Sequence, residues 1–477
     1  MIASSNNKRV ITTFILVMLN VSIMASLRNL PLVAELGYQM FFAFIIIALA
    51  FLIPCALVSA ELATGWSESG GIYIWVREAF GDRWGFFSIW MQWAHNVTWY
   101  PAILSFVGTT ISYIINPELA HNKLYIQAVV LIIFWGMTLV NYFGIGTSSL
   151  ISTIGVIVGT LIPGALIIIL GIIWVCIGNS LQLPFSINTL IPDFSSPSSL
   201  VFLAGLFLSF AGLEVSAGYA GEVKDPQKNF PKAIMIAAGI VLCLFMFGAF
   251  AIAVVIPKDQ INLIAGLMDA LHVYLSNYRL NWTFPFFAGL LVIGAIAEVN
   301  SWVIGPIKAL YTTSVHGNLP PFFHNLNKRG TPTHLLLFQS VIVTIVSCII
   351  LYMPSTSAAY WVLTIISTQM YLVMYLFMFF SAIRLRYTHS HVHRAYRIPH
   401  PHKGIWLIAS IGAFASLFAL IIGYIPPKEF DIGSLFIYEF TLIFSLLIMM
   451  VIPLVIYKYR KPSWMPKRSI HQESVKK

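Results

Sequence analysis

The chain has 477 residues, of which 58% are hydrophobic and only 9% are charged, and its mean hydropathy is +0.85. This composition excludes a soluble globular protein and is typical of a polytopic membrane protein. The formal net charge of +10 does not require a nucleic-acid partner, because basic cytoplasmic loops of a membrane protein account for it. The four cysteines lie singly in different apolar segments and indicate neither a metal site nor a disulfide.

Twelve apolar segments are each long enough, at about 20 residues, to cross a bilayer as a helix. They lie approximately at 11–37, 40–64, 84–115, 124–143, 148–178, 199–220, 232–256, 285–315, 334–353, 358–383, 405–425 and 434–457. We therefore predict an all-α polytopic membrane protein with twelve transmembrane helices. Since no long linker or hydrophilic domain interrupts them, residues 1–477 are predicted to form a single transmembrane domain with a short basic tail over 458–477.

The distribution of basic residues predicts the orientation in the membrane. Of the 27 Lys and Arg residues, 21 fall on one side of the twelve spans and 4 on the other, while Arg28 and Lys308 lie within or at the edge of spans. Because cytoplasmic loops retain positive charge, both termini are predicted to be cytoplasmic. Lys8 and Arg9 precede an apolar run as in a signal peptide, but its removal would leave eleven spans, so we expect the first helix to be retained.

Two of the predicted spans are interrupted in the middle by glycine, proline and charge. The interruptions are Ser26–Pro31 (SLRNLP) in the first span and Ser209–Gly218 (SFAGLEVSAG) in the sixth. Interrupted helices at corresponding positions in two halves of a membrane protein point to the substrate site of a secondary transporter. Helices 1–5 (about 11–178) and helices 6–10 (about 199–383) can be overlaid as a 5+5 inverted repeat, with helices 11–12 (about 405–457) appended.

The first interruption places Arg28, Asn29 and Leu30 directly before Pro31. Proline removes a backbone hydrogen bond, which favours unwinding, and an intramembrane arginine has to face protein or water. We predict that Arg28, Asn29 and Leu30 bind the substrate. The alternative is a proline kink with Arg28 directed toward a membrane face or paired with an acid. An Arg28 side chain that faces the cavity would favour a substrate with a carboxylate.

The sixth span contains Gly212, Gly218 and Gly221 around the acidic residue Glu214. Glycine allows a ligand to approach the backbone, and the N-terminus of a half-helix attracts negatively charged groups. Gly212 and Glu214 are therefore predicted to bind substrate. Glu214 is also a candidate for gating or proton transfer, and the alternative is a structural carboxylate bonded to nearby backbone.

The eighth and tenth spans each carry a pair of polar or aromatic residues four positions apart. Glu298 and Trp302 share one helical face, as do Tyr371 and Tyr375. We predict Glu298 as a gating or proton-linked acid, and Trp302, Tyr371 and Tyr375 as substrate-binding residues. For the tyrosines, ordinary packing is the alternative.

Five histidines crowd the loop over 389–402, with arginines between them. Their spacing matches no closed zinc site, so a solvated basic loop and a pH-responsive loop are the two interpretations. No metal and no other cofactor is predicted. The spans also contain no nucleophile motif, phosphate loop or repeated filter sequence, so neither an enzyme nor a channel is expected.

Four stretches resemble the amino acid-polyamine-organocation (APC) superfamily, and within it the bacterial glutamate:γ-aminobutyrate (GABA) antiporter family. They are Ile53–Val76, Leu208–Ala217, Gly294–Tyr311 and Tyr371–Tyr375. The resemblance implies a LeuT-type fold with broken helices 1 and 6, which exchanges amino acids by alternating access in a bacterial inner membrane. It also implies that the acids, the tryptophan and the tyrosines named above line the substrate path.

The chain departs from that family in two places. The first span reads SLRNLP where the family has tyrosines before its proline, so the side-chain pocket is expected to differ. Only about twenty residues, 458–477, follow the last span, so we do not expect the C-terminal plug of the family's acid-resistance antiporter. We predict an amino acid antiporter with glutamate/GABA-like exchange, and a proton-coupled uptake symporter is the alternative. An amino acid substrate and the lipid bilayer are the expected partners, with the oligomeric state left open.

Overall fold

The computed structural model describes residues 11–66, 70–143, 154–183, 201–216, 223–400, 402–426 and 432–466. Throughout these ranges the secondary structure is helical, apart from one isolated parallel bridge between Ile11 and Val223. The helices are α1 (Thr13–Met24), α2 (Leu30–Ala34), α3 (Gln39–Gly65), α4 (Ile72–Phe80), α5 (Asp82–Ile115), α6 (Lys123–Tyr142), α7 (Ile154–Cys176), α8 (Val201–Ser209), α9 (Pro226–Val255), α10 (Gly266–Asn277), α11 (Phe284–Val315), α12 (Thr333–Tyr352), α13 (Thr356–Thr388), α14 (Lys403–Ile422) and α15 (Leu435–Lys458).

Nine helices in the described part of the chain are long and apolar enough to cross a membrane, and α1 with α2 forms a tenth candidate that is bent by 40°. The third predicted span corresponds to α5, which is less apolar because it carries polar side chains such as Gln92, His95 and Asn96. The sixth span is described only through α8 and the residues up to Ser216. The described residues thus belong to an all-helical membrane protein and include nine or ten apolar spans.

The first span is interrupted where the sequence predicts it. Helix α1 ends at Met24, Ala25 departs from the helical conformation, Ser26 is extended, and a 3-10 turn leads into α2. Pro31 lies in the first turn of α2, where a helix needs no backbone N–H donor. The proline therefore starts the second half-helix, instead of unwinding the first as we expected.

The sixth span is interrupted after Ser209, the last residue of α8. Gly212 adopts φ +114°, and a Cβ on it would lie 2.7 Å from Ile23 Cγ2 and 3.1 Å from Trp302 Cζ2. Only glycine combines this backbone conformation with so close an approach. The two interruptions consequently meet at the centre of the protein. Gly218 and Gly221 lie outside the described residues.

Helices α5, α11 and α13 form the interior around these interruptions. Within the most apolar window of each helix, 89% of α13 is buried inside the protein but only 17% of α15. The outer face of α15 carries large exposed side chains such as Phe436, Phe440 and Phe444, as expected for a helix in contact with lipid. The central helices therefore provide the side chains of an internal site, and α15 lies at the periphery.

Helices α7 and α11 cross with their backbones in contact. A Cβ on Gly159 would lie 2.1 Å from the backbone nitrogen of Gly294, and one on Gly155 would lie 2.2 Å from the Cβ of Ala297. Small residues at a crossing allow membrane helices to approach this closely. The crossing fixes the position of α11, which carries Glu298 and Trp302, relative to α7.

Glu61, near the end of α3, lies in a buried group of charges. It forms an ion pair with Arg386 of α13, its Oε1 is 3.5 Å from Nε of Arg394, and its Oε2 accepts the N–H of Ile398 at 2.9 Å. These contacts attach the histidine-rich loop over 389–402 to α3. Within the described ranges, no group of three or more His, Cys, Asp or Glu residues could hold a metal ion.

Candidate functional site

Glu214 is the acceptor at the centre of a hydrogen-bond group that joins the sixth span to α5 and α13. Its side chain is buried, with 1% exposed. Gln92 Nε2 donates to Oε1 at 3.1 Å, the Tyr371 hydroxyl donates to Oε1, and the Tyr375 hydroxyl donates to Oε2 at 2.6 Å. The Tyr375 hydroxyl also accepts the N–H of Gly212 at 2.8 Å. A buried carboxylate requires hydrogen-bond donors of this kind. The side chain of Glu214 therefore links the sixth span to both α5 and α13.

Members of this group line both a surface cleft and a central cavity, with Gln92 and Glu214 at the cleft and Tyr371 at the cavity. The cleft has a volume of about 270 Å³, with the buried Gln92 and Glu214 at its inner end and Lys308 and Tyr311 nearer the surface. The central cavity lies beyond Tyr371 and has room for about one water molecule. In this conformation the cavity is too small for a ligand of amino acid size.

The structure brings most of the predicted site residues together. Arg28, Asn29, Glu298, Trp302 and Tyr371 all line the central cavity. They come from the first interruption, from α11 and from α13, which are distant in sequence. The cavity is therefore built at the meeting point of the elements that the sequence pattern singled out.

Four predicted residues, Leu30, Gly212, Glu214 and Tyr375, do not line the central cavity. Gly212 and Tyr375 belong to the hydrogen-bond group around Glu214. The side chain of Leu30 packs against α9, where a Cβ on Gly248 would be 3.0 Å from Leu30 Cδ1. Leu30 is not among the described residues that line the cavity.

Arg28 faces the cavity and not a membrane surface, and its side chain is 1% exposed. Its guanidinium carbon is 5.6 Å from the ring centroid of Trp99 and 5.5 Å from that of Tyr360, and Nη1 donates to the Tyr360 hydroxyl at 2.9 Å. Nε and Nη2 have no hydrogen-bond partner among the described residues. These two nitrogens form one edge of the guanidinium plane, and such an edge matches the two oxygens of a carboxylate.

An aromatic wall closes the cavity on its other side. Trp302 Nε1 donates to the backbone oxygen of Ile23 at 3.2 Å, which attaches α11 to the end of α1. The ring of His95 stacks on Tyr371, with 4.0 Å between centroids and 10° between planes, and its Nδ1 is 2.7 Å from Ser367 Oγ. Tyr371 therefore contacts both the wall of the cavity and the carboxylate at the inner end of the cleft.

The sequence prediction missed Gln92, His95 and Trp99 of α5. Their spacing of three and four residues places them on one helical face, and polar residues in an apolar span were a usable signal. Tyr360 was also missed. It precedes Tyr371 by eleven residues, about three helical turns, so the two tyrosines lie on the same face of α13. This spacing could have identified Tyr360 from the sequence.

Comparison with known proteins agrees with this architecture. Residues 10–452 match the family model described as amino acid permease. An uncharacterized transporter of Legionella pneumophila is 41% identical over 449 residues, which cover 94% of this chain and 97% of that protein. A glutamate/gamma-aminobutyrate antiporter of Lactococcus lactis is 29% identical over 458 residues, covering 95% and 91%. A probable agmatine/putrescine antiporter of the same species is 24% identical over 412 residues, covering 84% and 85%.

Proposed function

We propose an exchange function for this chain, which belongs to the amino acid permease family. Because the chain belongs to this family, it is a multi-pass membrane transporter and not an enzyme. The match also confirms the resemblance to the APC superfamily. The proposed activity is antiport of amino acids by alternating access, with glutamate and GABA as the candidate pair. The proposed architecture is a single domain of twelve spans, in the 5+5 inverted repeat of the LeuT type.

The position of Glu214 at the cleft, with its hydrogen bond from Tyr371 of the central cavity, carries this proposal. An exchanger has to open its site to one side at a time, and three hydrogen bonds to Glu214 hold the barrier on the cleft side closed. We assign gating to Glu214 and to its tyrosine donors, Tyr371 and Tyr375. A substrate that reaches Gly212 and Tyr371 from the cleft has to displace these contacts, which couples binding to opening.

Arg28 supports a substrate that carries a carboxylate. Its Nε–Nη2 edge offers two donors in the central cavity, and the Lactococcus lactis relatives are named for glutamate and GABA, which both carry a carboxylate. Asn29 and Trp302 complete the proposed binding site beside it. Arg28→Ala should reduce exchange of acidic more than of neutral amino acids, and a variant that exchanges both classes like the wild type would remove this assignment.

The ends of the described chain support an orientation with both termini on the cytoplasmic side of a bacterial inner membrane. The backbone oxygen of Ile11 accepts the N–H of Lys224 at 2.9 Å. At the other end of the chain, Arg460 Nη1 donates to Asp82 Oδ2 at 2.8 Å. Both terminal segments are thus attached to loops that the positive-inside rule assigns to the cytoplasm.

Counterflow in proteoliposomes tests the function. Vesicles with purified protein and internal unlabelled glutamate or GABA should accumulate labelled glutamate, and vesicles without an internal amino acid should not.

Buried carboxylates at Glu214 and Glu298 favour proton-coupled uptake as the second candidate. In that case a pH gradient alone drives entry. No uptake under either condition, with any amino acid of a broad panel, would refute both functions.

A further inference from the structure

The guanidinium of Arg28 occupies a box formed by two aromatic rings. Trp99 and Tyr360 have their centroids 5.6 Å and 5.5 Å from its central carbon, and Tyr360 also accepts a hydrogen bond from Nη1. Aromatic rings at such distances are a general means of binding amine and guanidinium ligands. The protein thus fills with its own side chain a place that is chemically suited to a cation.

A carboxylate lies beside this box. Glu298 is 4% exposed, and it lines both the central cavity and an adjoining cavity against Phe106 and Leu291. Arg28 lines the same two cavities and is the one Lys or Arg among the described residues that line them. A buried carboxylate attracts a compensating positive charge, and the guanidinium of Arg28 at the same two cavities stands where a cationic ligand would otherwise provide that charge.

We propose that Arg28 is a tethered cation that excludes cationic substrates, namely amino acids with basic side chains and aliphatic amines such as agmatine and putrescine. The proposal rests on the transport function proposed above and adds the class of substrate that the site rejects. Two effects act together. The side chain fills the aromatic box, since each cavity beside it has room for only about one water molecule. Its charge also repels a second cation and neutralises Glu298, the group that would attract one.

Removal of the charge at a similar side-chain length tests the proposal. In proteoliposomes loaded with labelled GABA, external agmatine and lysine should not drive efflux through the wild type. Through Arg28→Met they should do so, with the rate of agmatine-driven efflux itself raised by about tenfold or more over the wild type. The rate is compared directly, because loss of Arg28 is also expected to lower GABA-driven efflux. Arg28→Lys keeps the charge and should still reject agmatine. The double variant Arg28→Met with Glu298→Gln should lose the gain, because the attracting carboxylate is gone.

Binding provides a second measurement that does not depend on turnover. Agmatine should raise the unfolding temperature of detergent-solubilised Arg28→Met and leave that of the wild type unchanged. The proposal is overturned if agmatine drives efflux through the wild type as well as GABA does, if Arg28→Lys gains as much as Arg28→Met, or if Arg28→Met gains agmatine in neither assay. A wild type that exchanges no amino acid refutes the proposed function, while the agmatine shift still decides on the exclusion of cations.

Discussion

Replacement of Tyr375 by phenylalanine should destabilise the protein more than the same replacement at Tyr371. The Tyr375 hydroxyl makes two contacts, since it donates to Glu214 Oε2 at 2.6 Å and accepts the N–H of Gly212 at 2.8 Å. Among the described residues, the Tyr371 hydroxyl donates to Glu214 and accepts no backbone N–H. Tyr375→Phe therefore leaves a buried backbone N–H without its acceptor, and Tyr371→Phe does not.

Known hydrogen-bond energies set the size of the difference. Side-chain hydrogen bonds between membrane helices contribute about 0.6 kcal/mol on average and up to about 1.7 kcal/mol. A buried donor left without a partner costs about 1–3 kcal/mol. We expect a loss of about 1 kcal/mol for Tyr371→Phe and of about 2–4 kcal/mol for Tyr375→Phe.

The measurement is the free energy of unfolding in mixed micelles, titrated with sodium dodecyl sulfate and followed by circular dichroism. The two variants are well matched, because each phenylalanine keeps the ring contacts of its tyrosine. Tyr371 stacks on His95 with centroids 4.0 Å apart, and Tyr375 meets Phe51 edge-on at 5.0 Å. Equal losses, or a larger loss for Tyr371→Phe, would refute the role assigned to the Gly212 N–H.

Three further substitutions test other parts of the structure by the same unfolding measurement. Gly159→Ala should cost about 1–3 kcal/mol or more, because its Cβ would lie 2.1 Å from the backbone nitrogen of Gly294 and the two helices would have to separate. Glu61→Gln should cost about 3–5 kcal/mol, because it leaves the buried guanidinium of Arg386 without its counter-charge. Burial in α10, between the apolar spans, raises the pKa of Asp269. The folded state then holds the proton of the Asp269 carboxyl more tightly than the unfolded state does. The stability of the wild type therefore falls as the pH rises from the ordinary aspartate pKa through the raised pKa. Asp269→Asn should reduce this dependence of stability on pH.

For each of these three substitutions, a control variant or a specific outcome would contradict the explanation given above. Gly239→Ala adds a Cβ with no atom within 4 Å, so a loss as large as that of Gly159→Ala would refute the close helix approach. Glu78→Gln removes a partly exposed ion pair and should cost no more than about 1 kcal/mol. A loss for Glu61→Gln no larger than this would show that its buried pair contributes little. If Asp269→Asn leaves the dependence of stability on pH unchanged, groups other than Asp269 cause that dependence.

Much of the site is visible in the local pattern of the sequence. The interruption at Ser26–Pro31 and the glycine before Glu214 both occur in the structure where the sequence predicted them. The i and i+4 spacing of Tyr371 and Tyr375 correctly placed both hydroxyls on one side of α13. These predictions succeed because helix periodicity and backbone geometry are local properties. The transport roles of these residues stay predictions.

Other features depend on partners far away in the chain. The orientation of Arg28 was undecided from sequence, since it depends on Tyr360, which is 332 residues away. The environment of Glu61 also depends on distant residues, because its partners lie on α13 and in the histidine-rich loop. In both cases a charged side chain has several possible environments, and the fold selects one.

The sequence by itself determined that this is an all-helical membrane protein of a transporter family, with interrupted helices and an acid at one interruption. Hydrophobic length, charge asymmetry and glycine or proline position are sufficient for that, because the bilayer requires helices whose backbone hydrogen bonds are satisfied. Only the tertiary structure decided that Arg28 and Glu298 line one cavity, and that Glu214 lies at the surface cleft and accepts a hydrogen bond from Tyr371 of that cavity. The reason is physical: burial makes each of these charges dependent on donors and counter-charges, and the packing of distant helices alone brings those groups into contact.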